Sequence, residues 1–244
     1  MKFNNKVVFV TGAGQGIGKA MVHYFAAEGA KVAATDVNVE NVQGNIESLG
    51  NAAIALSCNV SDSASVVSAF NQTIENFGQV DIVVNSAGVG SDDTITETPD
   101  EHWHKVINVN LNGSFYVCRE AARLMQQSGT GGSIINISST AAMSGEGPSH
   151  YVASKAGVIG LTRSMARELA PDKIRVNNIV PGPTNTPMMA GIPDEWTEAM
   201  IAAIPLGRMG EPDEIARAAG FLASDDASFI TGQNIAVNGG MAFI

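Results

Sequence analysis

The sequence predicts an α/β fold: a doubly wound, mostly parallel sheet of seven strands with helices on both faces, forming a single domain over 1–244. Three observations predict it. Short β-branched runs alternate with segments long enough to cross back over a sheet as helices, which is β-α-β repetition. Several of the runs are apolar throughout instead of at every second residue, as strands covered on both faces are. At 244 residues and 45% hydrophobic content the chain can bury a sizeable core, and no linker, repeat or charge block divides it.

In chain order, residues 7–10 form the first strand and lead through a glycine-rich turn into a helix over 17–28. A second strand at 31–35 is followed by a helix over 39–49, a third at 53–57 by a helix over 62–77, and a fourth at 81–84 by a helix over 99–127. Strand 133–137, helix 151–169, strand 174–180, helix 212–223 and strand 234–237 complete the series. The widest interruption, 181–205, holds five of the nine prolines and follows a strand's carboxyl end, where open α/β sheets bind ligands. It reads as a lid or substrate loop over about 183–207, the plain alternative being a surface loop.

Composition narrows the function. A net charge of −10 with scattered basic residues argues against nucleic acid, whose binding is driven by Lys and Arg displacing counterions. Cys58 and Cys118 are too few and too far apart for a disulfide scaffold or zinc site, so buried reduced thiols and no bound metal are expected. The start of the chain is polar and its first apolar run is too short for a signal or a membrane span, which predicts a soluble cytoplasmic protein without a membrane partner.

Two stretches carry chemistry. The turn Thr11-Gly12-Ala13-Gly14-Gln15-Gly16-Ile17-Gly18 departs from G-x-G-x-x-G, which would place glycine at position 17. Its placement between a strand and a helix still offers close backbone approach and free helix N–H groups to a pyrophosphate. No Lys-Ser/Thr follows, so it is not a triphosphate-hydrolysing loop. Asp36, at the end of the second strand, is placed to accept hydrogen bonds from adenosine ribose hydroxyls, and neither Gln15 nor Val37 supplies a cation for a 2′-phosphate. That reads as NAD(H) over NADP(H). The other stretch is Tyr151-Val152-Ala153-Ser154-Lys155. Four residues apart on a helix, phenol and ammonium are neighbours, and the cation is expected to lower the tyrosine's pKa from about 10 toward a working range.

In order, the chain carries T-G-x-x-x-G-x-G at 11–18, Asn85-Ser86-Ala87-Gly88, Asn110 within Asn108-Val109-Asn110-Leu111, Ser138-Ser139, Tyr151-x-x-x-Lys155 and Pro181-Gly182. Together these resemble the short-chain dehydrogenase/reductase family, across residues 6–240, including its 3-oxoacyl reductases and NAD-dependent secondary alcohol dehydrogenases. The resemblance implies a Rossmann fold and hydride transfer between NAD(H) and a secondary alcohol or ketone. It implies Tyr151 as general acid and base, Lys155 tuning it and holding the nicotinamide ribose, Ser139 binding the substrate oxygen, and Asn110 anchoring a water chain. For the cofactor it implies contacts from Gly12, Gln15, Gly16, Ile17, Gly18, Asp36, Val37, Asn59, Val60, Asn85, Ala87, Gly88, Pro181, Gly182, Thr184 and Thr186, besides Tyr151 and Lys155. It also implies a homo-oligomer, tetramer or dimer, with the apolar tail 241–244 among the candidate contacts.

The sequence departs from the family where Ser86 replaces the second Asn of Asn-Asn-Ala-Gly, and where Asn59 and Asn238 stand for Asp. The interval from Ser139 to Tyr151 is one residue short. His150 is expected to take a surface or loop role, with His102 and His104 structural beside Trp103. In the lid, Met188, Met189, Ile192, Trp196, Met200 and Ile201 with Asp194, Glu195 and Glu198 suit a neutral secondary alcohol or ketone better than a polyanion, unless they pack the lid's own helix. Three other functions compete. A 3-oxoacyl-thioester (acyl-carrier-protein) reductase resembles the chain overall, but such enzymes mostly prefer NADPH, which Asp36 opposes. A non-catalytic NAD-binding module would be expected to lack Ser139, Tyr151 or Lys155. An extended epimerase or dehydratase would be longer.

Overall fold

The protein is described by a computed structural model covering residues 1–243; Ile244, the end of the apolar tail, lies outside the described residues. The strands are β1 (Val7–Thr11), β2 (Lys31–Asp36), β3 (Ala53–Ser57), β4 (Ile82–Asn85), β5 (Gly132–Ile137), β6 (Ile174–Pro181) and β7 (Asn234–Val237). The helices are α1 (Gly16–Ala27), α2 (Val39–Ile46), α3 (Ser63–Phe77), α4 (Asp100–Ile107), α5 (Gly113–Ser128), α6 (Ala141–Ser144), α7 (Ser149–Leu169), α8 (Asp194–Ala202) and α9 (Pro212–Ala223). No helix among the described residues is long and apolar enough to cross a membrane.

The sheet runs β3-β2-β1-β4-β5-β6-β7, and every pairing is parallel, where the sequence suggested mostly parallel. The apolar runs explain themselves in the packing. Val8, Val10, Val32, Ala34, Ile82 and Val84 point into one core with α1 and α9, while the intervening Phe9, Ala33 and Val83 point into a second core with α3 and α5. A strand with a helix layer on each side gains about 1.5–3 kcal/mol from each large apolar side chain it removes from water, on either face, so no polar alternation is selected. The ring of Phe9 lies flat on that of Phe70, centroids 4.0 Å apart.

Because β1 and β4 are neighbours while the chain winds away from them in opposite directions, their carboxyl ends flank a topological switch point, where such sheets leave a crevice. Thr11 and Asn85 pair directly at that edge, and Asn85 pairs with Asn136 of β5. These polar ends are buried and wired together. Thr11 Oγ1 donates to Asn85 Oδ1 at 3.3 Å and accepts the Ser86 and Ala87 N–H groups, both at 3.1 Å. Asn85 Nδ2 donates to Asn136 Oδ1 at 3.2 Å, and Asn136 Nδ2 to Thr162 Oγ1 of α7 at 2.8 Å.

The expected helix over 99–127 is instead α4 and α5 joined by a turn of π-helix, Asn108–Asn112, in which Gly113 N–H reaches back to Asn108 O. The inserted residue turns Asn110 inward and buries it, and such π turns are frequent at functional sites. Asn136→Leu removes a buried donor and acceptor while keeping volume, so it is expected to lower unfolding free energy by about 2 kcal/mol in urea titration. A change below about 0.5 kcal/mol would show that the network carries no net stability.

Candidate active site

Helix α7 begins at Ser149, earlier than the sequence suggested, and carries both residues of the tyrosine-lysine pair. Lys155 is buried, and its Nζ donates to the Ile137 carbonyl at the end of β5, 2.9 Å away. Burial lowers its pKa from 10.5 to about 8. The ammonium lies 5.7 Å from the centre of the Tyr151 ring. The expected drop in the tyrosine's pKa is absent: burial raises it, with the Ser139 hydroxyl pulling the other way. The reason is burial, since the phenol loses more from leaving water than it gains from the Ser139 hydroxyl.

Two adjacent serines follow β5, and the structure separates their roles. Ser138 is buried with its hydroxyl donating to the Lys155 carbonyl at 2.8 Å, so it is a structural tie between β5 and α7. Ser139 accepts from Ala141 N–H at 3.2 Å and faces Tyr151. Asn110 holds the loop after β4 from both sides: its Oδ1 accepts Val89 N–H and its Nδ2 donates to Val89 O, each at 2.9 Å. The same Nδ2 reaches Ser154 Oγ at 3.1 Å, and Ser154 in turn donates to the Tyr151 carbonyl. A methyl on Gly88 would lie 3.3 Å from Lys155 Nζ and 3.5 Å from Asn110 Oδ1, so these three expected residues meet.

At the glycine turn, Gly12 has φ +68°, and a methyl there would sit 2.8 Å from Ala87 Cα; both facts demand glycine. A methyl on Gly18 would overlap the Gly12 carbonyl, a still closer approach. No side chain caps α1 at Gln15 and no acidic residue stands in its first turn, so the N–H groups of Gly16, Ile17 and Gly18 present an anion cradle. Asp36 lies across this turn, its Oδ2 accepting Gly14 N–H and its Oδ1 accepting Asn38 N–H, both at 3.0 Å. Thr186 comes over the turn, 3.3 Å from where a methyl on Gly16 would be. The Cβ of such a methyl on Gly182 would lie 2.9 Å from Asn238 Cα.

Other expected cofactor residues have mixed placements. Asn85 spends its side chain in the buried network, and Thr184 is buried with its hydroxyl on the Gly182 carbonyl. Pro181 accepts from Thr140 through its carbonyl. Val37 is exposed beside Asp36, Asn59 caps its own turn through Ser61, and Val60 is buried against Gly113.

His150 overturns the expectation of a surface role. It is fully buried, its Nδ1 accepting Tyr151 N–H at 2.8 Å and its Nε2 2.6 Å from Ser91 Oγ. With Nδ1 accepting, the ring proton sits on Nε2 and points at Ser91. Ser91 donates to Asp93, which also takes His102 Nδ1 at 2.8 Å. Ser91 first and His102 second hold the Asp93 carboxyl below its ordinary range. This network was missed because it depends on how the loop after β4 folds back on α7, which no local pattern encodes.

Residues 12–242 match the family described as Enoyl-(Acyl carrier protein) reductase. A crystal structure from Mycobacterium marinum, described as a short-chain type dehydrogenase/reductase, superposes with TM-score 0.95 at 33% identity, covering 100% of this chain and 98% of that one. The chain belongs to the short-chain dehydrogenase/reductase family. Among relatives of this family, a 3-oxoacyl-[acyl-carrier-protein] reductase from Thermotoga maritima is 40% identical over 245 residues, 99% of each chain. A 3alpha-hydroxysteroid dehydrogenase from Mediterraneibacter gnavus is 42% identical over 246 residues, 98% of each. The protein is thus an oxidoreductase of the dehydrogenase/reductase type.

In this short-chain dehydrogenase/reductase the depressed lysine pKa has a thermodynamic signature. From about pH 8 toward 10.5 the unfolded chain keeps a proton that the buried amine has released, so Lys155 adds stability as pH rises through that window. The unfolding free energy of the wild type minus that of Lys155→Met is expected to increase over this interval. Subtraction cancels the opposing slope from Cys58 and Cys118, whose burial raises their pKa values. A flat difference would show that Lys155 titrates as an exposed lysine.

Proposed function

We propose that the protein transfers hydride between NAD(H) and a secondary alcohol or ketone, with Tyr151 as the general acid and base. The observation that supports this most is the convergence of Tyr151, Ser139 and Lys155 beside Gly88, at the crevice that also holds the glycine turn. The residues fit a dinucleotide. The uncapped start of α1 suits a pyrophosphate, Asp36 retains lone pairs for ribose hydroxyls, and Lys155 has ammonium donors beyond the one bound to Ile137. A 2′-phosphate would meet the Asp36 charge, which supports NAD(H) over NADP(H).

When bound, the nicotinamide supplies or accepts the hydride. The chain's own work is positioning and proton transfer. Ser139 Oγ donates to the substrate oxygen and fixes it next to Tyr151, an orientation effect that removes much of the entropic barrier. Tyr151 Oη gives its proton to that oxygen in reduction and takes it back in oxidation. Lys155, buried and with a pKa of about 8, is mostly cationic at neutral pH and favours the tyrosinate once the phenol has given up its proton. Asn110 holds the backbone at Val89 and so keeps Gly88 against the ammonium.

A second reading, reduction of a 3-oxoacyl thioester, draws support from the Thermotoga maritima relative and uses the same three residues. A cytoplasmic location and self-association, to which the exposed Phe243 would contribute, belong to the same proposal.

Tyr151→Phe is expected to lower kcat about 10³-fold while leaving NADH affinity within about twofold, measured by steady-state kinetics and fluorescence titration. Near-normal turnover would remove Tyr151 from the mechanism. Asp36→Ser should narrow the ratio of kcat/KM for NAD(H) over NADP(H) by about tenfold. An unchanged ratio would mean that Asp36 does not read the ribose.

A further inference from the structure

A cavity of about 420 Å³ opens between the loop after β4, at Asp92 and Ile95, the start of α7, at Pro148 and Ser149, and Trp196 of α8. It adjoins the proposed reacting groups. The loop after β4, which forms one wall, passes the Tyr151 ring at Gly90, where a methyl would lie 3.6 Å from Cδ2. Its size is that of a small-molecule site.

Three independent features describe what would enter. The first is charge: segments 86–99, 138–149 and 182–207, from which the walls are drawn, hold seven carboxylates and neither Lys nor Arg. Of the cations that flank these segments, Lys155 is bonded to the Ile137 carbonyl at 2.9 Å and Arg208 to both Glu214 oxygens at 2.8 Å. The second is an apolar pair, Ile95 and Trp196, which remain 74% and 65% exposed on the cavity's walls. The third is the Ser149 hydroxyl oxygen, shielded from solvent yet without a hydrogen-bond partner among the described residues. A buried hydroxyl left unpaired costs free energy that a ligand's polar group would recover.

We infer that this cavity admits an uncharged, largely apolar ketone or secondary alcohol that carries a second hydrogen-bonding group for Ser149, and that it disfavours substrates borne on phosphate-containing carriers. The inference rests on the oxidoreductase function proposed above and decides between its two substrate readings. Phosphates entering past Asp92 and Asp93, the carboxylates on the cavity wall, are repelled over about a Debye length, roughly 8–10 Å at ordinary ionic strength. The apolar body is taken up by Ile95 and Trp196.

The test compares two thioesters with the same reacting group, acetoacetyl-coenzyme A and acetoacetyl-N-acetylcysteamine, which lacks phosphate, using NADH and NADPH in turn. The wild-type chain is expected to show kcat/KM at least about tenfold higher for the phosphate-free thioester. Added salt and Asp92→Asn should each raise the value for the coenzyme A thioester while leaving the other unchanged. Ser149→Ala, which breaks no internal hydrogen bond, should raise KM for the phosphate-free thioester severalfold with kcat nearly constant. Equal or better use of the coenzyme A thioester, or a rate indifferent to salt and to Asp92→Asn, overturns the inference and leaves the oxidoreductase function standing. An unchanged KM in Ser149→Ala removes Ser149 as the anchor. Absence of turnover with both thioesters and with a panel of neutral secondary ketones and alcohols would overturn the proposed function itself, and this inference with it.

Discussion

The site is built around a lysine ammonium placed where water does not reach it, with the Ile137 carbonyl as its acceptor. Burying such a charge costs several kcal/mol unless its surroundings are arranged to receive it. The arrangement here is a set of ties that allow Lys155 little movement. Ser138 grips its carbonyl, Ile137 receives its ammonium, and Ser154, one residue earlier, is bonded to Asn110. Strand β5 and helix α7 are therefore locked in register at the point where the proposed chemistry sits. Once that register is set, Tyr151 and Ser149 have no freedom to lie elsewhere, because both are on the same rigid helix.

The polar ends of the central strands follow the same logic. Parallel strands covered on both faces have no use for asparagine, yet Asn85 ends β4 and Asn136, next to last in β5, lies beside it in the core. Their amides, with Thr11 and Thr162, satisfy one another across three strands and a helix. A buried network of this kind is stabilising only when its members are all paired, which makes it intolerant of displacement. It holds the floor of the crevice level, so that the glycine turn after β1 and the loop after β4 can approach as closely as Gly12 and Ala87 do.

Much of this was legible in the sequence. The seven strands fall within a residue or so of their expected limits because their apolar runs are short and bounded mostly by polar residues, glycine or proline, and the first six each have a helix-length segment beyond them. The pairing of Tyr151 with Lys155 follows from helical spacing, and the cradle at 12–18 from its place between strand and helix. What the sequence withheld were properties that arise only when distant segments meet. The π turn at Asn108–Asn112 looks like ordinary helix until its tertiary contacts draw Asn110 inward. His150 reads as a loop histidine until the segment at Ser91 folds over it. The tyrosine's pKa moved opposite to expectation because residue spacing reports that two groups are near, while the sign of the shift is set by burial of the phenol.

Asp36 shows how recognition and folding share one side chain. Its two oxygens already serve Gly14 and Asn38, so the carboxylate shapes the turn and the start of the segment before α2. Carboxylate oxygens accept more than one hydrogen bond each, and under the proposed function ribose hydroxyls would join these donors without displacing them. A group preorganised in this way loses little entropy on binding and keeps its negative charge fixed toward the place where a 2′-phosphate would sit. Under that function a preference for one dinucleotide over the other would be coupled to the geometry of the glycine turn, since loosening the carboxylate also loosens the backbone that would face a pyrophosphate.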